Sequence, residues 1–210
     1  MGDGQGDTLA GSSIRVNVAM VVAATEAEGP GRRYAIWVQG CPLRCPGCCN
    51  PEMLPFVEAE LREPEVLIAE ALAAEVEGIS LLGGEPFSQA TALALVAEGV
   101  RDAGLSVMVF SGYTLAELRA RRQPAVARLL AATDLLVDGR FEVARRSDER
   151  RYIGSSNQGL YFLSDRYRPE DARLHGPQHV ELRLRGGELT INGWPVLGAS
   201  TRIGRSDEAP

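Results

Sequence analysis

Short apolar strands alternate with helical segments through the middle of this chain of 210 residues, and the alternation restricts the fold more than any other feature. The central strands are expected near residues 37, 80, 108 and 136, with helical periodicity between the later ones. Consecutive parallel strands require a crossover connection, which is usually a helix. The pattern therefore predicts an α/β fold in which a parallel sheet is built from βαβ units.

The bounds of these elements follow from apolar periodicity and from turn residues. Strands are predicted at Arg15–Ala24, Tyr34–Gln39, Ile79–Leu82, Ser106–Phe110 and Leu135–Val137. Helices are predicted at Pro64–Glu77, Ser88–Ala103, Thr114–Arg122 and Pro124–Ala132. Ser88 is the predicted N-cap of the second helix, and Arg33 is interpreted as a surface charge that flanks a strand.

The last part of the chain has a different character. Tyr152–Leu163 and His179–Asn192 both have the composition of β structure. The second segment predicts a hairpin in which Val180–Arg185 and Glu188–Ile191 are joined by a turn at Gly186–Gly187. Small β additions are therefore expected after the α/β part.

Composition limits the domain organisation and the partners. Residues 14–197 are predicted to form one domain, and residues 1–13 and 198–210 are predicted to be disordered tails. No apolar run approaches the roughly 20 residues of a membrane span, and no secretion signal is evident. A cytoplasmic protein without a membrane partner is expected. The net charge of −6 argues against nucleic acid as a partner, because phosphate binding needs a basic face.

Four segments rich in glycine, cysteine or polar residues each follow a predicted parallel strand. They are Gly40–Cys49, Gly83–Pro86, Ser111–Tyr113 and Asp138–Arg140. Ligand sites of parallel α/β sheets gather at the carboxyl ends of the strands. The sequence therefore predicts that these segments meet at one edge of the sheet and form a single site.

All four cysteines of the chain fall within nine residues, at positions 41, 45, 48 and 49. This is not the pattern of a disulfide framework, in which cysteines are spread along the chain. The spacing Cys-x3-Cys-x2-Cys allows one loop to place three thiolates on three corners of an iron–sulfur cube. A [4Fe-4S] cluster normally takes four cysteines. Cys41, Cys45 and Cys48 as ligands would therefore leave one iron open for chemistry.

Two alternatives stay open at this level. A structural zinc site would require a second pair of cysteines or histidines, and the only histidines are His175 and His179, far along the chain. Cys49 is adjacent to Cys48 and would have difficulty reaching another corner of the same cube. Its role is packing, alternative ligation or redox chemistry.

Six short motifs resemble, in order and spacing, those of the radical S-adenosylmethionine (SAM) superfamily. The similarity is greatest to the activating enzymes of glycyl radical enzymes, of the anaerobic ribonucleotide reductase activating type. The motifs share small or polar residues next to strand ends, and are Gly29-Pro30-Gly31, Cys45–Asn50, Gly83–Pro86, Ser111–Thr114, Asp138–Phe141 and Gly154–Gln158. The chain differs from that pattern at Cys49, where an aromatic residue is usual, and at Ile153.

The resemblance implies a fold and a reaction. The fold would be a partial, open (β/α)6-type radical SAM barrel with added β-hairpins at the N- and C-terminal ends. The reaction would be reductive cleavage of SAM at the [4Fe-4S] cluster to a 5′-deoxyadenosyl radical, which then removes a hydrogen atom from a partner. The protein would accordingly be a radical SAM oxidoreductase, with the cofactor supplying the difficult chemistry.

The resemblance also implies which residues form the site. Cys41, Cys45 and Cys48 would be the cluster ligands and the catalytic residues. SAM would be bound by residues of the other motifs, namely Asn50, Gly83, Gly84, Glu85, Pro86, Ser111, Tyr113, Asp138, Arg140, Ser156 and Asn157. Glycines permit a close approach of the backbone, and a carboxylate accepts hydrogen bonds from the methionine ammonium group.

The hydrogen donor is the least determined part of this hypothesis. The first interpretation is a glycine of an anaerobic ribonucleotide reductase-like partner, with flavodoxin or ferredoxin as the reductant. The second retains the radical chemistry and acts on a peptide or a small natural product. The third is a non-catalytic [4Fe-4S] electron carrier, for which the motifs after the cysteines would be superfluous.

Overall fold

A computed structural model describes residues 14–176 and 178–193. The strands, in chain order, are β1 (Val16–Thr25), β2 (Arg33–Val38), β3 (Glu60–Arg62), β4 (Gly78–Gly83), β5 (Ser106–Phe110), β6 (Leu135–Asp138), β7 (Gly159–Phe162), β8 (Val180–Arg185) and β9 (Glu188–Gly193). The α-helices are α1 (Pro64–Ala73), α2 (Ala90–Asp102), α3 (Leu115–Ala120) and α4 (Pro124–Ala131). The predicted tails, 1–13 and 198–210, lie outside the described residues.

Seven strands form one mixed sheet in the order β3-β1-β2-β4-β5-β6-β7. The four central strands, β2, β4, β5 and β6, are parallel, as the strand–helix alternation predicts. The flanking pairs β1–β2, β1–β3 and β6–β7 are antiparallel. The α/β prediction is therefore confirmed as a mixed sheet with a parallel centre.

The two faces of the parallel strands have different neighbours because side chains alternate along a strand. Ile36, Leu81 and Val109 belong to the core that packs against the helices. In α2 the buried Leu93, Val96 and Val100 recur at helical spacing and form its side of that core. The opposite face is left for the loops and for the site.

Residues of that opposite face form two smaller apolar clusters. Trp37 and Leu82 pack together with Met53, whereas Met108 and Val137 pack in a separate group. The second group includes Tyr152 and Tyr167 from the part of the chain after β6, as well as Leu174. The segment after β6 thus folds back over the sheet and closes part of its open face.

Several predicted element bounds are corrected by the structure. Ser88 is not a helix N-cap, because Pro86–Gln89 forms a turn of 3-10 helix ahead of α2. The cap of that turn is Glu85, whose side chain accepts a hydrogen bond from the Phe87 amide at 2.9 Å. Only Gly159–Phe162 of the predicted β segment Tyr152–Leu163 is a strand. The residues from Tyr152 to Gln158 form a loop with turns instead of the first part of the predicted strand.

Arg33 is fully buried, which contradicts its interpretation as a surface charge. Its guanidinium donates hydrogen bonds to the Ser80 hydroxyl at 3.2 Å and to the Tyr167 hydroxyl at 3.3 Å. It also donates to the Ser106 hydroxyl and to the carbonyl of Ile79. Burial lowers the pKa of this guanidinium from its usual value. The side chain joins three strands to the later part of the chain, a role that composition alone does not reveal.

The predicted C-terminal hairpin is present as β8 and β9, with a turn at Gly186 and Gly187. Both turn glycines have positive φ, 57° and 84°, which suits a two-residue hairpin turn. The pair forms its own two-stranded sheet beside the main one. Among the described residues, no helix has the length and apolar character needed to cross a membrane.

Candidate functional site

The cysteine loop leaves β2 at Gly40 and is fastened at its start. Gly40 has φ of 97°, a conformation that favours glycine, and its amide donates to the Met53 carbonyl at 2.9 Å. The Cys41 amide donates to the Leu54 carbonyl at 3.0 Å. A backbone hydrogen bond of 3.1 Å from Cys48 to Cys45 then closes a tight turn. These bonds make the loop a compact unit.

All four cysteines are free and line one cavity on the open face of the sheet. Cys41 is buried, and Cys45, Cys48 and Cys49 are half-buried. Within the described residues, no three Cys, His, Asp or Glu side chains converge on one point as the ligands of a single metal ion would. A [4Fe-4S] cube binds each cysteine at a different iron atom, so its ligands need not converge in that way.

The thiols differ in how readily they ionise. Burial raises the pKa of Cys41 and of Cys45. A hydrogen bond with the Cys49 thiol lowers the pKa of Cys48 to about 6, and the same contact raises the pKa of Cys49. The thiolate is the form that binds metal. The contact therefore makes the two neighbouring thiols unequal, with Cys48 the more readily ionised.

The double glycine after β4 lies directly against the cysteine loop. The Gly84 amide donates to the Val38 carbonyl at 2.7 Å, and the Glu85 amide donates to the Gly40 carbonyl at 2.9 Å. A Cβ at Gly84 would lie 2.4 Å from the Gly40 carbonyl oxygen, and a Cβ at Gly83 would lie 2.6 Å from the Val38 nitrogen. Only glycine permits this crossing, which holds the two segments side by side.

Glu85 is fully buried at the same place and connects two of the predicted segments. Its carboxylate accepts hydrogen bonds from the Ser111 hydroxyl at 2.9 Å and from the Gly112 amide at 2.9 Å. Burial raises its pKa to about 7, and the hydrogen bonds from Phe87, Gly112 and Ser111 oppose that rise. Glu85 thus positions the segment after β5 and also lines the cavity.

The structure brings together eight of the predicted site residues around this cavity. They are Cys41, Cys45, Cys48, Asn50, Gly83, Gly84, Glu85 and Ser111. The carboxyl ends of β2, β4 and β5 therefore meet as the sequence predicts.

The other six predicted residues are not among those that line the cavity: Pro86, Tyr113, Asp138, Arg140, Ser156 and Asn157. Pro86 is buried in the first turn of the 3-10 helix. The Tyr113 ring lies beneath the Arg121 guanidinium, 3.7 Å from the ring centroid.

Asp138 and Arg140, also of this second group, are engaged in contacts within the chain. Asp138 accepts hydrogen bonds from the Leu115 amide at 2.6 Å and the Gly159 amide at 3.2 Å. Arg140 forms an ion pair with Glu117 at 3.0 Å. Asp138 therefore binds the backbone at the start of helix α3 and at the start of strand β7.

The Gly154–Gln158 motif contributes different residues from those predicted. Gly154 and Gln158 line the cavity, whereas Ser156 and Asn157 are not among the lining residues. Asn157 donates to the Arg140 carbonyl at 2.8 Å, and its Oδ1 is buried without a hydrogen-bond partner among the described residues. The motif therefore reaches the cavity through Gly154 and Gln158, and Asn157 holds the backbone at Arg140.

Sequence reasoning missed most of the apolar wall of the cavity. Trp37, Leu82, Phe110 and Val137 line it, one from each parallel strand. They occupy strand positions that face away from the helices, so the alternation of side chains could have identified them. Glu28, Tyr152 and Ile191 also line it, but their approach depends on tertiary packing that the sequence pattern does not encode.

Comparison with known proteins places these features in a family. Residues 27–161 match the family described as a 4Fe-4S single cluster domain. The anaerobic ribonucleoside-triphosphate reductase-activating protein of Salmonella typhi is 32% identical over 146 residues, which are 65% of this chain and 92% of that protein. The protein of the same name from Vibrio cholerae is 30% identical over 64% of this chain and 90% of that protein.

A more distant relative is consistent with the same assignment. A putative glycyl-radical enzyme activating enzyme of Haemophilus influenzae is 32% identical over 99 residues, covering 45% of this chain and 38% of that protein. The matched residues 27–161 contain the cysteine loop and the double glycine. The chain therefore belongs to the 4Fe-4S single cluster domain family, within the group of anaerobic ribonucleoside-triphosphate reductase-activating proteins.

Proposed function

We propose that this protein is a radical SAM enzyme that installs a glycyl radical on an anaerobic ribonucleotide reductase-like partner. The observation that carries the proposal is the placement of three free thiols beside a double glycine at the carboxyl ends of parallel strands. The Salmonella relative, which is named as a reductase-activating protein, matches 65% of this chain, and the family match covers residues 27–161.

Cys41, Cys45 and Cys48 are the residues that would hold a [4Fe-4S] cluster, leaving one iron for SAM. When bound, the cluster and SAM would supply a one-electron reductive cleavage of SAM to methionine and a 5′-deoxyadenosyl radical. The backbone at Gly83 and Gly84 is free of side chains and is suited to the methionine moiety.

The apolar wall would protect the reaction from water. Trp37, Phe110 and Val137 form part of the apolar wall of the same cavity as the cysteines. Exclusion of water limits side reactions of a reactive species. The hydrogen atom would then move from the glycine Cα of the partner to C5′, giving 5′-deoxyadenosine and a glycyl radical. No protein base is needed, because a hydrogen atom carries its own electron.

Three finer assignments accompany this function. We propose that the mixed sheet is the partial, open barrel of radical SAM enzymes, with residues 14–197 as one domain. We propose a flavodoxin or ferredoxin as the electron donor. The reaction is assigned to the cytoplasm, because a loop of four unpaired cysteines suits a reducing compartment, and no nucleic-acid or membrane partner is required.

The test is anaerobic reconstitution of the cluster, followed by addition of SAM, a reductant and the anaerobic ribonucleoside-triphosphate reductase of the same genome. We expect 5′-deoxyadenosine by chromatography and a glycyl radical signal on the reductase by electron paramagnetic resonance. Cys45→Ala is the control and should give neither product. SAM cleavage without a radical on the reductase would overturn the assigned target, and failure to bind SAM would favour an electron carrier.

A further inference from the structure

The β8–β9 hairpin lies outside the residues that the family match covers. The match ends at residue 161, and the hairpin begins at Val180. The hairpin nevertheless reaches the candidate site, because Ile191 and Gly193 line the same cavity as the cysteines. A segment outside the matched residues therefore forms part of the wall of the candidate site.

The polar face of the hairpin is turned toward the body of the protein and fixed there. Glu181 accepts a hydrogen bond from the Glu26 amide at 2.6 Å, and Arg183 donates to the Ala24 carbonyl. Asn192, on the same face, is buried. These contacts define which side of the hairpin faces outward.

The outward face is apolar. Val180, Leu182 and Leu184 alternate along β8 and are 42%, 67% and 68% exposed. Their partners across the hairpin include Ile191 opposite Leu182 and Leu189 opposite Leu184, and residues directly opposite share a face. We refer to these five residues as the hairpin face. The exposed members of the hairpin face are grouped on one side of a strand rather than scattered singly over the surface.

We propose that the hairpin face binds an extended apolar segment of the polypeptide substrate and guides the adjoining glycine into the cavity. This proposal rests on the proposed function. The hairpin face is continuous with the cavity because Ile191 belongs to both. Side chains on one face of a strand repeat about every 7 Å. An extended segment with apolar residues at alternate positions matches that repeat.

The size of the hairpin face argues against a second copy of the chain as the occupant. Six residues of β structure span about 20 Å, and two strands are about 5 Å apart. The resulting face is on the order of 200 Å², whereas a stable dimer buries about 800 Å² on each partner. One extended segment, which gains further contacts inside the cavity, is a better match to this area.

The test compares wild-type protein with Leu182→Glu/Leu184→Glu, in which two exposed side chains become charged. The matched control is Leu72→Glu on α1, where an apolar side chain 43% exposed lies on the helical side of the sheet. Each protein is reconstituted and titrated with the reductase, and glycyl radical formation is followed by electron paramagnetic resonance. Formation of 5′-deoxyadenosine without the reductase is measured in parallel.

We expect the double variant to raise the KM for the reductase about tenfold or more, since two apolar contacts are replaced by charges. The reductase-independent formation of 5′-deoxyadenosine should equal that of wild type, and Leu72→Glu should behave as wild type in both assays. Leu182→Ser, a milder change, should give a smaller increase in KM, and thermal unfolding verifies that each variant is folded.

The possible failures are distinguishable. Absence of a glycyl radical with the wild-type protein would overturn the proposed function and this proposal with it. A wild-type KM in the double variant, with normal radical formation, would overturn the hairpin proposal alone. A wild-type dimer in light scattering that the double variant abolishes would show that the occupant is a second copy, contrary to the proposal.

Discussion

Cys48 and Cys49 are neighbours that share one hydrogen bond, and only one of them is expected to bind iron. The contact lowers the pKa of Cys48 and raises that of Cys49, so the thiolate forms more readily at Cys48. The Cys-x3-Cys-x2-Cys spacing ends at Cys48. On that spacing we propose Cys48 as the third ligand.

Cys48→Ala should therefore abolish cluster binding, whereas Cys49→Ala should retain it. The expected readout is the iron and sulfide content together with the visible absorption after anaerobic reconstitution. Cys48→Ala should fall to a small fraction of wild-type iron, as removal of a ligand from a cube with three protein ligands would require. The opposite pattern, with iron lost only in Cys49→Ala, would show that Cys49 is the ligand.

Some residues of the site can be identified from the sequence, whereas the contacts of others cannot. The three cysteines and Gly83–Gly84 are recognisable because their residue types and spacing are unusual. Asp138 and Arg140 fit a familiar pattern, yet the aspartate holds backbone amides and the arginine pairs with Glu117. A polar side chain can bond to many different groups, and tertiary packing determines which of them lies within reach.

At the scale of elements, the site depends on the short distance between the carboxyl ends of β2 and β4. The two strands pair in parallel up to Val38 and Gly83. The loops that follow then cross at Gly40 and Gly84, where no side chain fits. A small change at this crossing would move the cysteine loop relative to the double glycine.

Gly84→Ala should destabilise the fold and weaken cluster binding. The added Cβ would lie 2.4 Å from the Gly40 carbonyl oxygen and 3.0 Å from the Met53 carbonyl oxygen, so backbone must move. We expect a loss of about 1–3 kcal/mol in the free energy of unfolding, as for overpacking in a close-packed site. Calorimetry and the iron content after reconstitution measure the two effects.

The control for this variant is Gly99→Ala in α2. A Cβ at Gly99 would meet the tip of the Ile68 side chain at 2.5 Å, which can rotate away. Alanine also favours a helix over glycine by about 1 kcal/mol. Gly99→Ala should thus be neutral or stabilising, and an equal loss of stability in both variants would contradict the argument from the crossing.

The elements themselves follow from local pattern more reliably than their ends do. The parallel strands were predictable because each is a buried apolar run flanked by turn residues. Thr114 was predictable as a helix start, and its hydroxyl indeed accepts from the Glu117 amide at 3.1 Å. The 3-10 turn before α2 was not, because it depends on the buried carboxylate of Glu85 as a cap. Helix ends of this kind depend on side chains that become buried only when the whole chain has folded.

At the scale of the whole molecule, the C-terminal segments are joined to the sheet by buried polar groups. Arg33 bonds to Tyr167, and Glu28 accepts from the Gly193 amide at 2.6 Å. Burial raises the pKa of Glu28 to about 7, and the bond from Gly193 opposes that rise. Ionisation of Glu28 therefore disfavours the folded state.

The sign of the pH effect follows from this shift. The folded protein holds the proton of Glu28 more tightly than the unfolded chain, whose pKa is near 4.5. The stabilising contribution is complete below pH 4.5 and is lost as the pH rises to about 7. One pKa unit corresponds to about 1.4 kcal/mol, so the loss is at most about 3 kcal/mol.

Glu28→Gln cannot ionise and can still accept from Gly193. We expect the melting temperature of Glu28→Gln to exceed that of wild type more at pH 7 than at pH 5, by several degrees. Anaerobic calorimetry at both pH values provides the measurement. Glu65→Gln, an exposed position on α1, is the control and should show no such difference. A constant offset between wild type and Glu28→Gln would contradict the assignment.

The hairpin face also has a consequence for handling the protein. Leu182 and Leu184 remain in water whenever the partner is absent, and exposed apolar strands promote self-association. The net charge of −6 opposes this by mutual repulsion between molecules. At 0.1 M salt, screening limits such repulsion to distances of about 10 Å, and higher salt shortens that distance. Solubility of the isolated protein should accordingly decline in concentrated salt, and co-expression with the partner would relieve the exposure.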